Sequence, residues 1–208
     1  MLILKKINSV FDLADIVEQK HLLNPQQKTI VLIGGCARVG KSTLSKELNQ
    51  LLIKKKLKSL VIPLDLWLVS HNKRKPDSTV IDRFHTKIMI KSLIDLYNGQ
   101  IIYPPLYDFV KRVQILETGH KPITYKSGIL IIEGVIALAL SELRKLASIS
   151  IHLEINNRQR LKRLIEFYTE TKKLPASECR RLIKEREKEE VPFINDKSKH
   201  ADLIFNTK

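Results

Sequence analysis

Residues 29 to 43, TIVLIGGCARVGKST, constrain this chain more than any other stretch. An unbroken apolar run passes straight into glycines and then into a helix-forming segment, so a buried strand must turn sharply into a helix. Gly35, Gly40, Lys41 and Ser42 fit the pattern G-x-x-x-x-G-K-[ST]. In such a loop successive backbone N–H groups and a helix N-terminus converge on phosphate oxygens. The candidate nucleotide site is therefore Gly35, Cys36, Ala37, Arg38, Val39, Gly40, Lys41, Ser42 and Thr43. Lys41 is expected to bridge the β and γ phosphates of a bound nucleotide, and the Ser42 hydroxyl to take a Mg²⁺ position.

The remaining periodicity extends this unit into a fold. SLVIPLD at 59–65, GILIIEG at 128–134, SISIHLEI at 148–155 and a short DLIF at 202–205 read as further strands. Amphipathic helices are expected over 9–23, over 41–56, around Ile81, Phe84, Ile88, Leu93 and Leu96, and over about 157–172 and 176–190. Pro104 and Pro105 make the stretch from 101 to 118 an edge or a loop. Strands separated by helices imply an α/β fold: a three-layer P-loop NTPase architecture with a mostly parallel sheet, helices on both faces and a small helical lid. The expected organisation is a helical extension over 1–27 followed by one phosphate-binding domain over 28–208, with the lid at about 157–190.

Ligands of such sheets sit beyond the carboxyl ends of the strands, and Gly35, Asp65 and Glu133 each lie at one. An aspartate beside a γ-phosphate can accept the proton of an attacking hydroxyl; a helix cap or loop carboxylate is the plainer reading of Asp65. Glu133 ends an apolar strand, where an unpaired charge is costly, so it is expected in a Mg²⁺ shell or a hydrogen bond. The N-K-x-D and D-x-x-G signatures of switch GTPases are missing: NKRK at 72–75 carries Lys75 where the aspartate should stand.

The formal net charge is +15. That excess fits polyphosphate, nucleic acid or an anionic membrane surface. The basic runs do not interleave with aromatics, and KKKLK at 54–58 complements a helix C-terminus, so a nucleic-acid partner is disfavoured. A homo-oligomer is compatible with the sequence. Cys36 and Cys179 stand far apart without a C-x-x-C partner, so reduced thiols are expected. No apolar run approaches the ~20 residues of a membrane helix, and the first residues do not form a signal peptide, so a cytoplasmic protein is expected.

GGCARVGKST, VIPLDLW, YPPLYDFVKRVQILET and ILIIEGVIAL occur in an order that resembles the uridine kinase and phosphoribulokinase family of P-loop kinases, with KSKHADLIF as a fifth matching segment. The resemblance implies a kinase that moves the γ-phosphate of ATP to a hydroxyl of a small molecule, a nucleoside first. It further implies that Asp65 is the catalytic base, assisted by Lys41 and Arg163, and that Ser42 and Glu133 serve the Mg²⁺ shell. Asp82, Tyr107, Arg112 and Arg160 would bind substrate, Asp82 through ribose hydroxyls and the arginines through phosphates. Where the family usually presents a histidine and an arginine after the tyrosine, this chain has Arg112 and Gln114; in the lid, Phe167 and Tyr168 replace the usual Arg-Asp. Arg112 would suit an acidic or already phosphorylated acceptor. A nucleotide-dependent binding or regulatory protein on the same fold is the reading from another class.

Overall fold

The computed structural model describes residues 5–25, 28–115 and 121–207. The strands are β1 (Lys5–Ile7), β2 (Thr29–Gly34), β3 (Ser59–Pro63), β4 (Leu106–Asp108), β5 (Val113–Ile115), β6 (Ile129–Glu133), β7 (Ile149–Glu154) and β8 (Leu203–Asn206). The helices are α1 (Val10–Leu22), α2 (Lys41–Lys54), α3 (Thr86–Tyr97), α4 (Ser141–Leu146), α5 (Asn157–Glu166) and α6 (Ala176–Ser198). Six strands form one sheet in the order β1-β8-β7-β2-β6-β3, and every neighbouring pair is parallel.

Side-chain alternation divides this sheet into two buried faces. Ile30 and Leu32 of β2 and Leu130 and Ile132 of β6 pack with Met89, Leu93 and Leu96 of α3. Val31, Ile33, Ile129 and Ile131 pack on the other side with Leu13 and Val17 of α1 and Leu44, Leu48 and Leu52 of α2. Continuous Ile, Leu and Val runs are what a strand covered on both faces requires, and the three-layer α/β architecture follows from them.

The segment ahead of β2 carries more than a helix. Lys5, Lys6 and Ile7 pair in register with Leu203, Ile204 and Phe205, adding an edge strand, while Leu13 and Val17 are completely buried. The helix expected around residues 81–96 begins only at Thr86. Ile81–Arg83 form a 3₁₀ turn, and Phe84 is extended, with φ −126°, and bridged to Leu68. Phe84 is apolar because it enters the core from a loop, and Ile88, expected on the buried face, is 62% exposed. The proline-bearing stretch forms a separate two-stranded antiparallel hairpin, β4–β5, with Tyr107 opposite Gln114. Residues 116–118 of that stretch lie outside the described residues. In the lid, α5 runs into a π-helical turn at Phe167–Thr171, and α6 continues past 190, through Pro192, to Ser198. Among the described residues no helix is long and apolar enough to cross a membrane.

Candidate functional site

Strand register assembles the site. Glu133 lies level with Ile33 on one side and with Pro63 on the other, so β2, β6 and β3 end together. The phosphate loop, the Glu133 carboxylate and Asp65, two residues beyond Pro63 in a 3₁₀ turn, therefore emerge at one edge. They border a cleft of about 1150 Å³ that also takes in Tyr107, Arg112, Arg163 and Arg186.

Gly40 caps α2 with φ +105°, a left-handed conformation that favours glycine. Gly35 is needed for close approach, since a Cβ there would stand 2.6 Å from the Leu153 carbonyl oxygen. Lys41 is buried, and its Nζ donates to the carbonyls of Gly35 (3.0 Å) and Cys36 (2.9 Å). The Cys36 thiol is pushed up to about 11, chiefly by burial and then by the Glu190 charge, which makes it a packing residue rather than a nucleophile. Cys179 is buried within the lid cluster of Leu164 and Tyr168.

Ser42 Oγ donates to Glu133 Oε1 at 2.8 Å. Burial raises the Glu133 carboxyl above its ordinary range; Lys41 pulls it down and Asp65 pushes it up. Asp65 is likewise raised, first by burial, with Lys41 and Arg186 opposing and Glu190 adding to the rise. Both carboxyls are raised by burial and Glu133 further by Asp65, so the two beside a buried lysine form a locus that favours a cation or a proton.

The rest of the cleft lining is rich in cations. Arg74 Nη2 reaches the Tyr107 hydroxyl at 3.4 Å, and Arg112 Nη2 lies 2.8 Å from His71 Nδ1. From the lid, Arg163 Nη1 donates to the Val39 carbonyl at 3.4 Å, and the Arg38 guanidinium stacks 3.3 Å from the centroid of the Phe167 ring. Lys172 Nζ donates to the Val110 carbonyl at 3.3 Å, linking the lid to the β4–β5 hairpin.

The AAA domain family model matches residues 31–189. The chain belongs to that family. The uridine kinase of Mycoplasma genitalium is 33% identical over 145 residues, which is 66% of this chain and 65% of that protein, just under two thirds of its length. The uridine kinase of Mycoplasma pneumoniae is 28% identical over 196 residues, covering 88% of this chain and 87% of that one. Among solved structures, the D-glycerate 3-kinase of Cryptococcus neoformans superposes with a TM-score of 0.70 at 13% identity over 95% of both chains, a likeness of fold.

Two residues expected to bind substrate lie elsewhere. Asp82 is exposed and outside the cleft: its Oδ2 accepts from Thr79 N (3.0 Å) and Thr79 Oγ1 (2.7 Å), so the carboxylate closes a local turn. That turn explains why its carboxyl titrates below the ordinary range. Arg160 is buried inside the lid, paired with Glu187 and bonded to Asn157 Oδ1, and does not line the cleft. Arg181 pairs with Glu185 on the exposed face of α6.

Two residues that the sequence reading passed over hold the loop instead. Glu190 Oε1 accepts from the Ala37 N–H at 2.6 Å, and Glu190 pairs with Arg186, whose Nε donates to the Tyr168 hydroxyl at 2.5 Å. Burial opposes the Glu190 charge, but Arg186 and the Ala37 amide outweigh it and hold the carboxyl below its usual range. The signal was a row on α6, Cys179, Ile183, Arg186, Glu190 and Ile194, in which charges occupy apolar helical spacing.

Proposed function

We propose that this chain is an ATP-dependent phosphotransferase that moves the γ-phosphate to a hydroxyl of a small molecule. The observation that carries the reading is the Asp65 carboxylate in the same cleft as Lys41 and the Ser42–Glu133 pair. Asp65 accepts the proton of the acceptor hydroxyl as its oxygen bonds to the γ-phosphorus; the bond from that phosphorus to the β–γ bridging oxygen breaks, and ADP leaves with the electron pair. Lys41 and Arg163 face the phosphates with positive charge, and Arg163 closes the loop side through Val39. Among the described residues no group of three or more His, Cys, Asp or Glu stands together to hold a resident metal. Ser42 and Glu133 offer hard oxygen donors that suit a Mg²⁺ arriving with the triphosphate, which would neutralise charge on the β and γ oxygens.

The names of the two Mycoplasma relatives make a nucleoside such as uridine the first acceptor to test. A reaction that consumes ATP fits a cytoplasmic setting. The test is acceptor-dependent ADP formation by the full chain and by Asp65→Asn. The variant is expected to bind ATP normally and to lose transfer by about 10²–10⁴-fold; near-normal turnover would sink the reading. Undiminished nucleotide binding without transfer to any small molecule would favour a binding or regulatory protein instead.

A further inference from the structure

We infer that the acceptor of this site carries a phosphate or carboxylate group, held by the guanidinium groups of Arg74 and Arg112. The inference rests on the kinase reading above and specifies its acceptor. Both arginines line the cleft that contains Asp65, and both are half-buried. Among the described residues neither has a carboxylate partner, whereas Arg83, Arg160 and Arg186 are paired with Glu189, Glu187 and Glu190. Two half-buried cations in one cleft lose part of their hydration, a cost that an anion bound there would offset. Burial lowers the pKa of both, and the Arg112 charge lowers that of Arg74 further.

The backbone fixes these groups as a built wall. Arg74 Nε donates to the Val69 carbonyl at 2.9 Å, and Nη2 reaches the Tyr107 hydroxyl in the cleft. His71 N donates to the Arg112 carbonyl at 2.9 Å, Arg112 N to the Asp108 carbonyl at 2.7 Å, and Gln114 N to Ser70 Oγ at 2.9 Å. Arg112 is held at φ +61°, a left-handed conformation that non-glycine residues rarely adopt. Such strain persists only where the surroundings over-determine it, and it concentrates at ligand clamps. Burial and the two neighbouring guanidiniums push the His71 pKa down, so the ring is neutral and Nδ1 accepts from Arg112. The ring orients the fork without neutralising it.

A planar fork with several donors matches the oxygens of a phosphate or carboxylate, and Tyr107 adds a hydroxyl beside Arg74 in the same cleft as Asp65. An acceptor whose hydroxyl lies at Asp65 and whose anionic group lies at Arg74 and Arg112 spans the cleft. A neutral nucleoside would leave both cations unmatched, and sites with buried polar groups discriminate strongly against ligands that leave them unpaired.

The test is ADP formation by the full chain with ATP and Mg²⁺ across three acceptor sets: neutral nucleosides and polyols, sugar and nucleoside phosphates, and hydroxy acids. Transfer to one of the two anionic sets is expected with a kcat/KM at least ~100-fold above any neutral acceptor, the preferred set distinguishing phosphate from carboxylate. Arg112→Gln and Arg74→Gln are expected to raise KM for that acceptor about 100-fold with KM for ATP unchanged, and Arg112→Lys to recover part of the loss. Melting temperatures of the variants check that they fold, and the lysine variant keeps the test valid if a glutamine variant does not. Efficient transfer to uridine, indifferent to both substitutions, would overturn the inference and leave the kinase reading standing. No transfer to any acceptor would overturn both.

Discussion

Asp65 carries opposing demands. The carboxylate must be charged to accept a proton, yet burial lifts its pKa above the ordinary aspartate value. Activity is therefore expected to fall on the acid side through a pKa higher than that of a free aspartate, readable from the pH dependence of kcat/KM, which reports the free enzyme. Stability takes the opposite sign. A carboxyl whose folded pKa exceeds its unfolded pKa favours the folded state as pH falls through the folded value, and disfavours it above. Asp65→Asn is thus expected to raise the melting temperature at neutral pH, with the advantage shrinking as the pH is lowered; an equal gain at all pH values would show that the charge is not the cause. Gly40 bears a conformational demand instead. Gly40→Ala forces a Cβ into φ +105°, so about 1–2 kcal/mol of stability is expected to be lost in chemical denaturation, together with affinity for ATP.

At the scale of elements, α6 does more than cover the cleft. Its Arg186–Glu190 pair ties the lid to the phosphate loop through the Ala37 N–H, and Tyr168 in the π-helical turn after α5 completes the link. Glu190 is almost fully buried, so removing one partner leaves an uncompensated charge. Glu190→Gln is expected to cost about 3–5 kcal/mol of stability and to weaken ATP binding. Adding Arg186→Met to it should cost less than the sum of the single changes, as a double-mutant cycle would measure. Additivity of the two would mean that the pair is not coupled. The hairpin β4–β5 meets the lid only through the exposed Lys172 contact to Val110 among the hydrogen bonds of the described residues, which leaves the acceptor side more lightly held than the loop side.

For the whole molecule, the sheet extends to the N-terminal strand β1 and is covered on that side by α1 and α2. Leu13 is completely buried between them and the sheet, so Leu13→Ala is expected to cost about 2–5 kcal/mol with KM for ATP unchanged. Much of this organisation was legible because its causes are local. An apolar run buried on both faces reads as a central strand, a glycine-rich turn before Lys41 reads as a phosphate loop, and a carboxylate ending each of two such strands reads as part of the same edge. β1 escaped notice because three residues with two exposed lysines carry no periodicity; they become a strand only when β8 offers its edge. Asp82 and Arg160 misled because their type suits the family's chemistry while their partners, Thr79 and Glu187, are chosen by a local turn and by lid packing. Arg74 stood in a basic run, and Arg186 and Glu190 in a run of mixed charge, both of which resemble solvated surface. The sequence by itself determined the strand–loop–helix unit, the parallel sheet and the placing of Asp65 and Glu133, since hydrophobic period and backbone chemistry suffice for these. Only the tertiary structure decided which cations face the cleft, because that depends on which charges are already neutralised by partners remote in the chain.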